Sequence, residues 1–188
     1  MPPTVILIAG PPASGKTTLA RYLAAELRLP LFYKDLYKEI LFDTLGARDR
    51  PWSRRLGVAS VNLLFASIET ELRAGRSFIA ESTFKPDLDG PRWAHLQVHY
   101  AFRCLQIQCR AHGDVLRQRF LDRESSPERH PGHSGRDHLD ELDTVLARGR
   151  HDPIELDCDL IWLDTTDLSV LDLTAILDRA RHFMWDQP

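Results

Sequence analysis

Val5-Ile6-Leu7-Ile8-Ala9-Gly10-Pro11-Pro12-Ala13-Ser14-Gly15-Lys16-Thr17 is the stretch that decides the fold. Its first five residues are an apolar run closed by glycine, which reads as a buried strand. Residues 10–17 fit G-x-x-x-x-G-K-[ST], and a helical pattern follows with Leu19, Leu23 and Leu27 on one face. Strand, loop and helix in that order give the motif a physical meaning. Backbone N–H groups of such a loop converge into a nest for phosphate oxygens. The helix start adds unpaired N–H groups and the positive end of its dipole. Phosphate binding is therefore assigned to Gly10, Pro12, Ala13, Ser14, Gly15, Lys16, Thr17 and Thr18. Lys16 reads as a surface group reaching the β- and γ-phosphates, and the Thr17 hydroxyl as a Mg²⁺ ligand. Gly10 suits the tight turn and Gly15 the close approach of backbone to phosphate. Ala13 stands where a further glycine would be at ease, so a negative φ is expected there.

The chain has 188 residues, enough for one compact α/β domain with a sizeable core. A formal net charge of -3 argues against a broad polyanion-binding surface but leaves room for a local basic cleft. The three cysteines, Cys104, Cys109 and Cys158, form no C-x-x-C pair, which suggests a reducing compartment and buried thiols. No signal peptide and no apolar run of membrane-spanning length is apparent, so a cytoplasmic location is expected.

Strands alternate with helices along the chain, which implies a parallel sheet covered on both faces. Pro30–Tyr33 reads as the second strand, followed by a helix from Leu36 to about Leu45 closed by Gly46. Ala47–Arg55 reads as a polar turn, and the next helix carries Val61, Leu64, Ile68 and Leu72 up to Gly75. Ser77–Glu81 is the third strand, Phe84–Gly90 a loop, and Pro91–His99 a short helix opened by its proline. Phe102–Cys109 is the fourth strand and Asp114–Glu124 a helix. Ser125–Asp137 is polar and rich in Ser, Pro, Gly and His, as in a mobile surface loop. A helix over Leu139–Arg148, a strand at Leu160–Leu163 and a helix from about Val170 to Met184 complete the chain. Ser169 and Asp172 are spaced like a capping box for that last helix.

Three further features bear on chemistry. Asp35 lies at the carboxyl end of the second strand, on the sheet edge that lines the ligand crevice of an open α/β fold. A carboxylate there can accept the proton of a hydroxyl aimed at the γ-phosphate; the competing role is a helix N-cap. Glu81 ends the third strand, where it can assist Mg²⁺ through water or hold an acceptor hydroxyl. Arg119, Arg123 and Arg129 flank the polar loop, where guanidinium groups neutralise the charge spread over equatorial phosphoryl oxygens. His130-x-x-His133 and the His95/His99 pair have metal-like spacing but no partner pattern for zinc. Trp52, Trp93 and Phe84 suit core or lid, with substrate contact assigned to Phe84 and Arg54.

With these residues in view, the chain resembles the small AAA-like P-loop kinases, near chloramphenicol phosphotransferase, zeta toxin and the kinase domain of polynucleotide kinase. The matching parts are GPPASGKTTLARYLA, YKDLYKEILFD, IAEST and RESSPERHPGH. The resemblance implies a P-loop NTPase fold: a three-layer α/β/α domain over 1–188, a five-stranded parallel sheet of order 2-3-1-4-5, and a mobile lid around 117–138. It makes Asp35 the acceptor-side base, Arg119, Arg123 and Arg129 lid arginines, and Asp164-Thr165-Thr166 the base-binding wall. The expected activity is Mg²⁺-dependent transfer of the γ-phosphate of ATP or GTP to a hydroxyl of a small molecule, such as an antibiotic, nucleoside or sugar-nucleotide. Two rivals stand beside it. A polynucleotide 5′-kinase would use a basic channel near Arg50, Arg54 and Arg55. A nucleotide-switched binding module would leave Asp35 as an N-cap. The net charge disfavours a nucleic acid partner, and oligomeric state is left open.

Overall fold

The computed structural model describes residues 2–133 and 139–185. Five strands form one sheet in the order β2-β3-β1-β4-β5. They are β1 (Thr4–Ala9), β2 (Leu31–Tyr33), β3 (Phe78–Glu81), β4 (Arg103–Arg110) and β5 (Asp159–Asp164). Every pairing is parallel, with Ile8 beside both Glu81 and Ile107 across the centre. Among the described residues seven helices flank the sheet: α1 (Lys16–Leu27), α2 (Lys34–Leu45), α3 (Arg50–Arg73), α4 (Pro86–His99), α5 (Gly113–Glu124), α6 (Leu139–Arg148) and α7 (Leu173–Trp185).

All of β1 is buried, because a central parallel strand is covered on both faces. Its side chains alternate between two cores, as the period of two requires. Ile6 and Ile8 pack with Leu19, Leu23 and Leu27 of α1 and Ile176 and Leu177 of α7. Val5 and Leu7 pack with Leu64 and Ile68 of α3 and Trp93 of α4. The carboxyl ends of β1, β2 and β3 thereby meet on one edge, which carries the phosphate loop, Asp35 and Glu81.

Three helices begin earlier than their sequence suggests. The segment read as a polar turn is the first turn and a half of α3: Asp49 accepts a hydrogen bond from Trp52 N at 2.9 Å, and Pro51 occupies the opening turn. Its charged residues misled because Arg54 and Arg55 face solvent while Ser53 and Leu56 face inward. Helix α4 starts at Pro86, with Asp89 accepting from the Lys85 N–H at 2.7 Å, so Pro91 lies inside it. Helix α2 starts at Lys34, which puts Asp35 in its first turn. At α7, Asp172 alone caps, accepting from Ala175 N at 3.0 Å, while Ser169 bonds back to Asp167 instead of completing a capping box.

The cysteine expectation is corrected as well. Cys104 and Cys158 form a disulfide, with Cα atoms 4.6 Å apart, and Cys109 is the buried free thiol. The β4–β5 register, Leu105 beside Asp159, brings together two residues separated by 54 positions. No local spacing could show that. Among the described residues, no helix is long and apolar enough to cross a membrane.

Candidate active site

The loop between β1 and α1 has the geometry of a phosphate cradle. Gly10 has φ +149°, and a Cβ there would stand 2.6 Å from the Cys109 carbonyl oxygen, so the close approach of β1 to β4 requires glycine. Gly15, at the N-cap of α1, has φ 78°. Ala13 has φ 64°, against the negative value expected. A left-handed residue turns successive N–H groups inward, at a cost of about 1–2 kcal/mol for a residue with a Cβ. The Ala13 methyl packs against the small core of Leu116 and Phe120, which offsets part of that cost. Lys16 is not the surface group its charge implies: it is buried, donating from Nζ to the Pro11 carbonyl at 3.3 Å and lying 4.0 Å from Glu81. The Ser14 hydroxyl is buried without a partner among the described residues.

Glu81 is 3% exposed and accepts a hydrogen bond from Thr17 Oγ1 at 2.8 Å. Burial pushes its pKa up, and Asp35 adds to this against the pull of Lys16 and Thr17. A hydroxyl and a carboxylate beside a phosphate cradle are the hard oxygen donors that Mg²⁺ takes, so these residues fit the ion that the fold implies. Glu81 also lines the chamber next to Asp35, while its partner Thr17 lines the other one.

Asp35 caps nothing. Tyr33 occupies the N-cap position of α2 without a side-chain bond, and among the described residues the cation paired with Asp35 is Lys34, at 3.8 Å. Burial raises the Asp35 pKa, but Lys34 first, with Lys16 and Arg129, outweighs it and holds the carboxyl below its ordinary range. Two chambers meet at this residue. The donor-side chamber, about 410 Å³, is lined by Ala13, Gly15, Lys16, Thr17, Thr18 and Arg119 among others. The neighbouring one, about 190 Å³, includes Pro12, Lys38, Ser53, Glu81 and Phe120. Lys16, Asp35, Arg123 and Arg129 line both.

The arginines divide in two. Arg119 donates to the carbonyls of Thr165 (2.7 Å) and Thr166 (3.0 Å), so it stands at the far end of the donor chamber. The Thr166 hydroxyl accepts from His112 N at 3.1 Å, and Thr165 Oγ1 donates to the Ser14 carbonyl at 3.0 Å, tying this wall to the phosphate loop. Arg123 is enclosed, its Nε has no partner among the described residues, and burial with Arg129 nearby lowers its pKa. Arg129 pairs with Glu124 at 2.8 Å.

The described part of the polar loop, 125–133, is docked on α2. His130 bonds Asp43 at 3.0 Å and stacks on Phe42, and His133 bonds Glu39 at 3.1 Å. Burial and Arg129 push the His133 pKa down to about 3, so it is neutral. The rest of the expected lid, 134–138, lies outside the described residues. No group of three or more metal-ligating side chains occurs among the described residues. Phe84 does not reach the site: it is 1% exposed and packed edge-on to Phe65 and Trp93, because the end of β3 turns it into the second core. Arg54 is exposed on a larger cleft and shares Glu141 with Arg50. Lys34, Lys38 and Ser53 were missed. Lys38 stands three residues after Asp35 and four after Lys34 on α2, one turn on from both, which was the available signal.

The fold is shared with solved kinases. A structure from Chloroflexus aurantiacus j-10-fl, provisionally named a kinase, is 42% identical over 97% of this chain and 99% of its own, with a TM-score of 0.92. A sugar kinase from Janibacter sp. HTCC2649 (18% identity, 97% of this chain and 94% of its own, TM-score 0.54) shares the fold. So does a gluconokinase from Sinorhizobium meliloti 1021 (13% identity, 97% and 91%, TM-score 0.53). No curated protein matches the chain. The likeness to small P-loop kinases read from the sequence thus extends to strand order and connectivity. An AAA domain model matches residues 5–148, most of the chain, and the chain belongs to that family.

Proposed function

We propose that the protein is a Mg²⁺-dependent phosphotransferase that moves the γ-phosphate of ATP or GTP to a hydroxyl of a small molecule. The observation that carries this reading is the junction: Lys16, Asp35, Arg123 and Arg129 each line both chambers. A switch needs a phosphate site; a second chamber abutting it across three cations and one carboxylate supports transfer. In this reading the loop N–H groups and Lys16 hold the phosphates, and Arg119 with the Thr165–Thr166 wall borders the base. Thr17 and Glu81 would hold Mg²⁺, which supplies charge neutralisation on the phosphate oxygens. Asp35 orients the acceptor hydroxyl and takes its proton. The new bond joins that oxygen to the γ-phosphorus as the bond to the β–γ bridging oxygen breaks, and the nucleoside diphosphate leaves. Arg123 and Arg129 neutralise the equatorial oxygens, and the segment around 117–138 acts as the lid that excludes water. The ester-forming hydroxyl acceptors of this reading include antibiotics, nucleosides and sugar-nucleotides.

The test is an acceptor screen with ATP and with GTP, scored by phosphate transfer rather than hydrolysis. Lys16→Ala should abolish transfer while circular dichroism remains that of the parent. Unaltered turnover in that variant, or nucleotide binding with no transfer to any hydroxyl compound, would sink the reading.

A further inference from the structure

The chamber beside Asp35 is lined mainly by cations, and not all of them serve the donor side. Among the described residues its walls carry six, Lys16, Lys34, Lys38, Arg50, Arg123 and Arg129, against two carboxylates, Asp35 and Glu81. Arg129 is paired with Glu124 and Arg50 with Glu141, while Lys34 lies 3.8 Å from Asp35 and Lys16 4.0 Å from Glu81. Lys16 and Arg123 also line the donor chamber, where they face its phosphates. The cation that this leaves on the acceptor side is Lys38. Lys38 donates to Ser53 Oγ at 3.0 Å, and among the described residues no carboxylate is in ion-pair contact with it. Burial first, and then the like-charged neighbours Lys34, Arg50 and Arg129, push its pKa down to about 8; Asp35 opposes them.

The same walls continue outward into a cleft of about 750 Å³, in which Lys38, Arg50 and Ser53 are joined by Arg54 and Glu141. There Glu141 accepts hydrogen bonds from Arg50 Nε at 3.3 Å and from Arg54 at 3.1 Å. A carboxylate at the mouth of this cleft is thus already held by two guanidinium groups, a geometry suited to planar anions. Val58, Val61 and Leu142 supply an apolar wall for a carbon skeleton between the two ends.

We propose that the acceptor alcohol carries an anionic group, carboxylate or phosphate, that is bound by Lys38, Ser53 and Arg50, while its hydroxyl lies at Asp35. The inference rests on the phosphotransferase reading above. Arg50 exchanges part of its contact with Glu141 for the incoming anion, so Glu141 competes for the same cation.

The experiment measures binding by calorimetry, with Mg²⁺ and an unreactive β,γ-imido analogue of ATP present. The probes are matched sets built on three-, five- and six-carbon polyols: the neutral alcohol, its terminal carboxylate and its terminal phosphate ester. In at least one set the charged member should bind tenfold or more tighter than the neutral one. Which member does so tells carboxylate from phosphate. Lys38→Met and Arg50→Met should each remove most of that preference, Lys38→Arg should restore it, and Glu141→Gln should tighten the charged member alone. The proposal is overturned if no charged member binds better than its neutral match, or if the preference survives in both methionine variants. Because the readout is binding, it is separable from catalysis. Loss of Lys16-dependent nucleotide binding and of transfer in parallel assays would strike the phosphotransferase reading instead.

Discussion

Asp35→Asn separates a positioning carboxylate from a structural one. Among the described residues Asp35 makes no capping bond and pairs with Lys34 at 3.8 Å, with its side chain 38% exposed. A half-exposed pair of this kind contributes at most about 1 kcal/mol. The loss of an acidic residue in the first turn of α2 adds about 0.3–1 kcal/mol. At roughly 2–4 °C per kcal/mol for a chain of this size, Tm should fall by no more than about 8 °C. Transfer should fall much further, by about 10²-fold, or about 2.7 kcal/mol at the barrier, if proton acceptance matters. The depressed Asp35 pKa sets a bound on that figure. A carboxyl held below its usual range is a weak base, and a loose transition state needs little nucleophile activation, so orientation carries a large share. Asp35→Ala should therefore be slower than Asp35→Asn, having lost the hydrogen bond that orients the hydroxyl. Nucleotide affinity should change little, since the donor contacts remain. Single-turnover transfer, nucleotide titration and thermal melts on both variants decide it. If transfer stays within threefold of the parent, or if activity is lost only in proportion to nucleotide binding, Asp35 is structural and the acceptor site lies elsewhere.

Other outcomes follow from single observations. Lys38 faces Lys34, Asp35, Arg50, Arg129 and Ser53, and its pKa is lowered from 10.5 to about 8. Because the folded value is the lower one, the charged form is disfavoured in the native state, so this site adds stability as pH rises from about 8 toward 10.5. Binding of an anionic acceptor should weaken as Lys38 loses its proton, by about tenfold between pH 7 and pH 9, and Lys38→Arg should flatten that limb. The Cys104–Cys158 bridge closes a 54-residue separation, so Cys158→Ser should cost up to about 4 kcal/mol, and thiol titration of the unfolded, unreduced parent should count one free thiol rather than three. Ala13→Gly should relieve left-handed strain while losing a packed methyl and loosening the unfolded chain, so Tm should stay within about 3 °C and nucleotide affinity should hold.

The parts of the site legible in the sequence were those fixed by local chain geometry. β1, the loop and α1 are contiguous, so one motif located the phosphate cradle, and alternation of strands and helices located Asp35 and Glu81 on the same edge. What stayed hidden depends on contacts far apart in the chain. Glu81 meets Thr17 across 64 residues, and no spacing rule distinguishes that bond from a contact to an acceptor. Phe84 suited core or lid as well as substrate contact, and the backbone turns it inward at φ 34°, into the core. Arg119 resembled its neighbour four residues on, but only the approach of the β5 end shows that it holds Thr165 and Thr166 while Arg123 faces the junction. The basic acceptor wall was masked by a wrong element. With residues 47–55 read as a turn, Arg50 and Ser53 had no common face; as the first turn and a half of α3, they stand three apart and line one chamber with Lys38.

The electrostatics of the cleft tie its two halves together. Burial and like charge depress three bases around the junction: Arg123 downward, Lys38 to about 8 and His133 to about 3. Burial is the largest cause in each case and like charge adds to it. Neighbouring cations, Lys34 first, hold Asp35 below its usual range, so basicity at Asp35 and anion affinity at Lys38 are linked through a shared set of cations. Negative charge brought to Lys16, Arg123 and Arg129 weakens their hold on Asp35 and raises its basicity, which makes it a better proton acceptor when nucleotide is bound than when it is not. The neutral His133, paired with Glu39, adds no positive charge to this set near neutral pH. In the proposed reading Asp35, which with Glu81 faces six cations, orients the acceptor hydroxyl and accepts its proton more readily beside a bound donor, a dependence that disfavours wasteful deprotonation of water.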